Sequence, residues 1–259
     1  MVCALLPACG GSHLYSWRMR KLTYFVSDVH LGLRLPEAPE RERRFVEFLR
    51  SIPAAETESL YMLGDIWDFW YEYRDVVPKG FAQVFAALLD LMDAGVKVYF
   101  IEGNHDQCSY GYFSELGMIC PKTQPYYTEI GGKRFCLGHG DMLGPGNTKY
   151  KRIQWMFHNK VFRALFSSLH PRIGIGWGKT WSRQSRTAKP VPKYVFKGES
   201  EPLWQWCSAC KQPVDFFIFG HYHTAWNVPV GNSRLLVMAD WKEPNWIVFD
   251  SSTGTIEMR

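Results

Sequence analysis

Five short polar motifs carry most of the chemistry-bearing side chains in this 259-residue chain. They are Asp28-Val29-His30, Gly64-Asp65-Ile66-Trp67-Asp68, Gly103-Asn104-His105-Asp106, Gly138-His139-Gly140-Asp141 and Gly220-His221-Tyr222-His223, and they hold five of the eight histidines. Carboxylate, imidazole and amide oxygen donors together suit Mn²⁺, iron, Co²⁺ or Zn²⁺ without any thiolate, with Mn²⁺ expected foremost. The set exceeds what one ion needs. Two divalent ions about 3.5–4 Å apart can share a carboxylate, hold a hydroxide between them and clamp phosphoryl oxygens. Hydrolysis of a phosphorus–oxygen ester or anhydride is therefore the expected chemistry. In extended backbone, residues i and i+2 point the same way, so Asp28 with His30, and His221 with His223, are each expected to offer two ligands to one point. The neighbouring glycines would let the chain turn sharply and approach an ion closely. A lone DxH or GNH is ordinarily a loop cap or a turn; five such motifs in series, each after an apolar run, are not accounted for that way.

The runs that precede the motifs are the elements that must aim them. Residues 22–27 read as a buried strand ending at Asp28, and residues 60–63 as a second strand ending at Gly64-Asp65. Residues 96–101 form a third, ending before Gly103-Asn104. Between them, residues 40–51 place Phe45, Phe48 and Leu49 at helical spacing, and residues 80–94 form an amphipathic helix stopped by Gly95. This alternation predicts βαβ units and a mainly parallel sheet. Residues 126–130 and 134–137 flank Gly131-Gly132, a hairpin signal. Five further strands follow at 216–219, 226–230, 235–238, 246–249 and 255–258, predicting a second sheet packed on the first with helices outside.

Charge divides the chain. Between Met142 and Gly198 lie twelve Lys or Arg and no Asp or Glu, so with a net charge of only +5 the remainder is acidic. The acidic part suits cations and the basic part an anion. Seven cysteines at irregular spacing argue against a disulfide framework, and Cys207-x-x-Cys210 reads as two helix-borne thiols. No run of 18 apolar residues is present. Residues 1–20 read as an extension that is disordered and outside the fold.

The series DVH, GDIWD, GNHD, GHGD and GHYH resembles the calcineurin-like metallophosphoesterase superfamily from residue 22 to the C-terminus. The resemblance implies an α/β fold of two mixed β-sheets sandwiched between helices. It implies that Asp28, His30 and His223 hold a first metal, that Asn104, His139 and His221 hold a second, and that Asp65 bridges both. It further implies that His105, oriented on Asp68, protonates the leaving oxygen or stabilises the phosphate. For Asp68, a role in orienting ligands or in the fold alone stays open beside the catalytic one.

About eighty residues separate the fourth and fifth motifs, and residues 145–197 read as a basic helical lid insertion. Residues 147–169 align Tyr150, Ile153, Phe157, Val161, Leu165 and Leu169 on one helical line, with Trp155, Phe162 and Phe166 beside it. That apolar surface is wider than a single buried stripe requires. One reading is a cap over the core with solvated lysines. The sharper one is a lid for a ligand both anionic and greasy, a lipid phosphate at an anionic membrane surface. Nucleic acid is the less favoured partner, because the apolar residues keep helical register and are not spaced as stacking platforms.

Here the sequence is similar to one branch, the UDP-2,3-diacylglucosamine diphosphatases of lipid A synthesis. The likeness rests on His139-Gly140-Asp141-Met142-Leu143, then Tyr150, Lys151-Arg152, His158 and Leu165-Phe166. It implies cleavage of UDP-2,3-diacylglucosamine to UMP and 2,3-diacylglucosamine 1-phosphate by a cytoplasmic protein peripheral to the inner membrane. Candidate substrate contacts are Asn104, His105 and His221 near the metals and Asn147, Ser185, Arg186 and Lys189 on the insertion. The chain departs from that branch at His105, Asp68 and Asn147, where the branch has Arg, Glu and Asp. Another phosphodiesterase or phosphatase of the superfamily, such as a nuclease or a dinucleotide phosphatase, is the alternative.

Overall fold

In the computed structural model, which describes residues 20–33, 38–107, 110–145, 155, 159–187 and 194–259 (at 107, 181 and 183–187 the backbone alone), the short apolar runs form strands and the wider-period runs form helices. The first half runs β1 (Leu22–Val26), α1 (Ala38–Ser51), β2 (Thr57–Leu63), β3 (Trp70–Tyr71), α2 (Ala82–Asp93), β4 (Lys97–Ile101), β5 (Asp106–Gln107) and α3 (Tyr112–Glu115). Then come β6 (Tyr126–Ile130), β7 (Lys133–Leu137), α4 (Lys160–Ser167), α5 (Pro171–Thr187) and α6 (Pro202–Ser208). The chain closes with β8 (Phe216–Phe219), β9 (Trp226–Val230), β10 (Ser233–Val237), β11 (Ile247–Asp250) and β12 (Thr255–Met258).

One sheet has the order β12-β11-β1-β2-β4 and the other β6-β7-β8-β10-β9. In the first, β1, β2 and β4 are parallel and β11 and β12 antiparallel; in the second, β7, β8 and β10 are parallel and β6 and β9 antiparallel. Both sheets are therefore mixed. The C-terminal strands do not all join the second sheet, as their grouping in the sequence predicts. β11 instead pairs with β1, Phe249 opposite Thr23. The physical reason is burial on two faces: Ile247 and Phe249 enter the core between the sheets, while Val248 enters the core under the helices. An all-apolar strand of this kind fits any interior position, so its partner is set by the rest of the fold.

Strand alternation builds three apolar layers. Tyr24 and Val26 face α1 and α2, while Phe25 between them faces the second sheet. Along β8, Phe216 and Ile218 fill the space between the sheets, and Phe217 and Phe219 pack with Leu203 and Cys207 of α6. Trp67 and Trp70 stack on Phe113, locking the segment after β2 against α3. That packing matters because the same segment starts with Asp65.

The insertion is broken where the sequence predicts one continuous helical line. Asn159 is the N-cap of α4, with φ −73° and ψ 127°, and its Oδ1 accepts from the amides of Val161 and Phe162. An Asn that satisfies the first amides marks the start of a helix at that point. α5 then begins with Pro171, whose missing N–H costs nothing at a first helical position. Cys207 lies on α6, but Cys210 lies beyond its end, so only one of the two thiols is helix-borne; both are free. Among the described residues no helix is long and apolar enough to cross a membrane. The extension over residues 1–20 falls outside the described residues, apart from Arg20.

Candidate metal centre

All five motifs leave the carboxyl ends of strands: β1, β2 and β4 in one sheet, β7 and β8 in the other. In open α/β sheets that is where ligands are bound. Backbone hydrogen bonds stitch the loops together, His30 N–H to Asp65 O at 2.9 Å, Asp28 N–H to Gly64 O at 3.1 Å and Gly220 N–H to His139 O at 3.0 Å.

The local backbone is not extended at these ligands. Asp28 (φ 54°), His30 (51°), Asp65 (52°), His221 (73°) and His223 (53°) all occupy the left-handed region, and among the described residues Phe81 is the only other non-glycine there. Each such residue costs about 1–3 kcal/mol, sustained only where surrounding bonds over-determine it. The i, i+2 expectation therefore fails in detail for His221 and His223, which face different neighbours. The glycines also act differently from expectation: they let loop press on loop. A Cβ on Gly103 would lie 2.2 Å from Asp65 Oδ1, and one on Gly220 2.2 Å from Asp28 Oδ2.

The side chains gather in two groups. In the first, His30 Nε2 lies 3.2 Å from His223 Nε2, which lies 3.2 Å from Asp28 Oδ1. In the second, Asn104 Oδ1 lies 3.0 Å from His139 Nε2 and 3.1 Å from His221 Nδ1. Asp65 stands between, its Oδ2 3.8 Å from His30 Nε2 and 3.3 Å from His139 Nε2. Asp28 with His30 and His223, and Asp28 with Asp65 and His139, each bring their donor atoms within 4.8 Å of one another. Two imidazole nitrogens facing each other beside a carboxylate are satisfied by a shared cation, so the donor set fits divalent metal.

Burial alone would raise the Asp65 carboxyl, but His139, His105 and His30 hold it well below the usual carboxylate range. Burial and the neighbouring His139 push His221 down to about 4, leaving it neutral and able to donate a lone pair near neutral pH. His139 Nδ1 donates to Leu63 O at 3.0 Å, which turns Nε2 toward Asn104 and Asp65.

His105 and Asp68 sit as neighbours, but their link differs from the one the resemblance implies. His105 Nδ1 donates to the backbone carbonyl of Asp68 at 2.8 Å, and its Nε2 lies 4.0 Å from Asp65 Oδ2. The Asp68 carboxylate stays within 4.8 Å of a His105 ring nitrogen but has closer neighbours, Oδ1 3.7 Å from His30 Nδ1 and Oδ2 accepting from Ser182 Oγ at 2.7 Å. Asn147 and Lys189 lie outside the described residues, and for Ser185 and Arg186, both on α5, so do the side chains.

Sequence reasoning assigned no role to Asp106, yet it organises the site. Its buried carboxylate accepts from the amides of Asp65 (2.9 Å), Ile66 (2.6 Å), Trp67 (3.2 Å) and Gly103 (2.8 Å). It thus ties the Asp65 loop to the Asn104 loop. Burial and the Asp65 charge push its carboxyl well up, while those amides pull the other way. The available signal was an acid two residues past Asn104 with no basic residue nearby to pair it.

Beside the site, tyrosine and serine hydroxyls seat the insertion. Tyr110 donates to Ser167 Oγ, which lies 2.7 Å from Tyr71 Oη, and Tyr71 donates to Arg163 O. A cleft of about 610 Å³, lined by Gly103, Lys122, Gln124, Gly140, Asp141 and Arg163, adjoins the Asn104 and His139 loops.

Comparison with known proteins bears on this geometry. Residues 22–225 match the family described as calcineurin-like phosphoesterase. A UDP-2,3-diacylglucosamine hydrolase of Porphyromonas gingivalis is 34% identical over 258 residues, covering 92% of this chain and 98% of that protein. One of Stenotrophomonas maltophilia is 30% identical, covering 90% and 96%. Among solved structures, a novel archaeal phosphodiesterase aligns with TM-score 0.44 at 12% identity, covering 92% and 98%.

Proposed function

This chain belongs to the calcineurin-like phosphoesterases, as a metal-dependent hydrolase, and from that premise we propose that it cleaves UDP-2,3-diacylglucosamine to UMP and 2,3-diacylglucosamine 1-phosphate. The observation that carries the proposal is a juxtaposition. A buried phosphoester-cleaving constellation adjoins a basic helical insertion whose Val161, Leu165, Ile173 and Trp177 are exposed. A substrate with a diphosphate and two acyl chains matches both halves, and the relatives' names point the same way.

Asp28, His30 and His223 would hold one divalent ion, Asn104, His139 and His221 a second, with Asp65 shared and Mn²⁺ the preferred metal. When bound, the pair supplies a nucleophilic hydroxide and neutralises phosphoryl charge. The remaining work belongs to the chain. Leu63 O keeps His139 oriented, Asp106 keeps the Asp65 and Asn104 loops in register, and His105 holds Nε2 4.0 Å from the Asp65 carboxylate, beside which the reacting phosphate would lie. With Nδ1 donating to Asp68 O, His105 protonated at Nε2 can give that proton, or its charge, to the departing phosphate oxygen.

Residues 145–197 act in this reading as a lid that takes the acyl chains and docks on the cytoplasmic face of the inner membrane. Each Lys or Arg near an anionic surface contributes about 1 kcal/mol. The deciding assay uses purified protein with Mn²⁺ on UDP-2,3-diacylglucosamine in micelles, single-stranded DNA and bis-p-nitrophenyl phosphate. UMP release without DNA cleavage is expected. DNA turnover with no action on the lipid would overturn the proposal and favour a nuclease.

A further inference from the structure

Ser182 departs from what a hydroxyl on a helix ordinarily does. Thr180, two residues earlier on α5, bonds back to Gly176 O at 2.8 Å, the usual i−4 contact. Ser182 is 4% exposed and reaches out of its helix to Asp68 Oδ2 at 2.7 Å, across 114 residues of sequence. The Asp68 carboxylate also lies against His30 Nδ1 at 3.7 Å and within 4.8 Å of a ring nitrogen of His105, whose Nδ1 donates to the Asp68 carbonyl at 2.8 Å. One residue thus touches the insertion on one side and two histidines of the site on the other.

The seat of α5 is specific enough to aim that hydroxyl. A Cβ on Gly174 would lie 1.9 Å from Tyr73 Oη, and one on Gly178 2.1 Å from the Phe69 ring. Glycine at both positions lets the helix lie directly on the segment that follows Asp68.

We infer that Ser182 is a positioning residue for hydrolysis: by donating to Asp68 it fixes the orientation of His30 and His105, so that α5 and the reacting centre are set as one unit. A serine hydroxyl donating to a buried carboxylate is a charge-assisted bond, and its loss removes a direct contact the insertion makes with that carboxylate. Asp68 can then turn, and both histidines lose a fixed neighbour. The inference concerns the shared metal-dependent chemistry and not the lipid, so a small diester reads it whether or not the lipid proposal survives.

The experiment compares Ser182→Ala, Ser182→Thr, Asp68→Asn and the Ser182→Ala/Asp68→Asn double variant on bis-p-nitrophenyl phosphate at saturating Mn²⁺. Ser182→Ala is expected to lower kcat roughly tenfold with KM unchanged, and Ser182→Thr to restore most of it. In the Asp68→Asn background the Ser182→Ala change should have almost no further effect, since both act through one bond. In metal-free protein, the ring ¹H–¹⁵N signals of His30 and His105 should shift in Ser182→Ala and return in Ser182→Thr. Should Ser182→Ala not fold, Ser182→Cys keeps the volume with a weaker donor and should give an intermediate kcat. An unchanged kcat, a loss seen only in KM, independent effects in the double variant, or unmoved ring signals would each overturn the inference.

Discussion

Two regions a few residues apart in space are built on opposite terms. At the metal centre Asp28, His30, Asp65 and His139 are almost wholly enclosed and their loops stitched by backbone bonds, with Asp28, His30 and Asp65 held in left-handed conformations. On the helical insertion Val161 and Trp177 are each 66% exposed and Leu165 61%. The first region must keep strained backbone and like-charged neighbours in place, which requires many bonds per side chain. The second leaves large apolar side chains uncovered, the arrangement that the proposed lid function needs. In the proposed reading, chemistry belongs to the enclosed part and recognition to the exposed part. Substitutions should therefore separate the two by substrate.

The largest effect is expected at Asp65, which stands between both groups of ligands. Asp65→Ala should lower kcat by at least about a thousandfold on every phosphodiester, the small one included, because both metals lose a ligand. Near-normal turnover of bis-p-nitrophenyl phosphate would remove Asp65 from the shared position. Next comes Asp106, which touches no substrate in this reading. Replacing it with Asn sets an NH₂ group against amides that need an acceptor. Mn²⁺ affinity, followed by calorimetry, should weaken roughly ten- to a hundredfold.

The insertion should respond the other way. Changing Leu165 and Trp177 together to Ser should leave the melting temperature and small-diester turnover unaltered, since neither side chain is buried. Action on lipid micelles and binding to anionic vesicles should fall roughly tenfold or more, as two apolar side chains lose their contact. A matching loss on the small diester would mean that the helices shape the metal centre more broadly than the Ser182–Asp68 bond allows. The smallest effect is expected from Asn159→Ala, which removes the cap of α4 and costs about 1 kcal/mol. Hydrogen exchange of the α4 amides should quicken roughly fivefold while amides of the ligand loops are unaffected.

Much of this was legible along the chain, because it is written in local patterns. Apolar runs ending in Gly-Asp, Gly-Asn or Gly-His identify strand ends and the side chains displayed there, and all five motifs do follow β1, β2, β4, β7 and β8. Helical spacing located α1 and α2 for the same reason: each buries one face against the first sheet. Asn159 shows where local reading is incomplete, since an apolar line continuing past it hides the cap from which α4 starts.

Residue order thus carries the choice of donors, the strand ends that display them and the reaction class they suit, since each depends on near neighbours in sequence. Pairings between distant segments are of another kind. β11 beside β1, His221 facing Asn104 while His223 faces Asp28, Asp106 gripping two loops and Ser182 reaching Asp68 all arise only on folding. Backbone hydrogen bonds between loops and burial on two faces select these partners, and neither has a periodicity that a single stretch of chain can display.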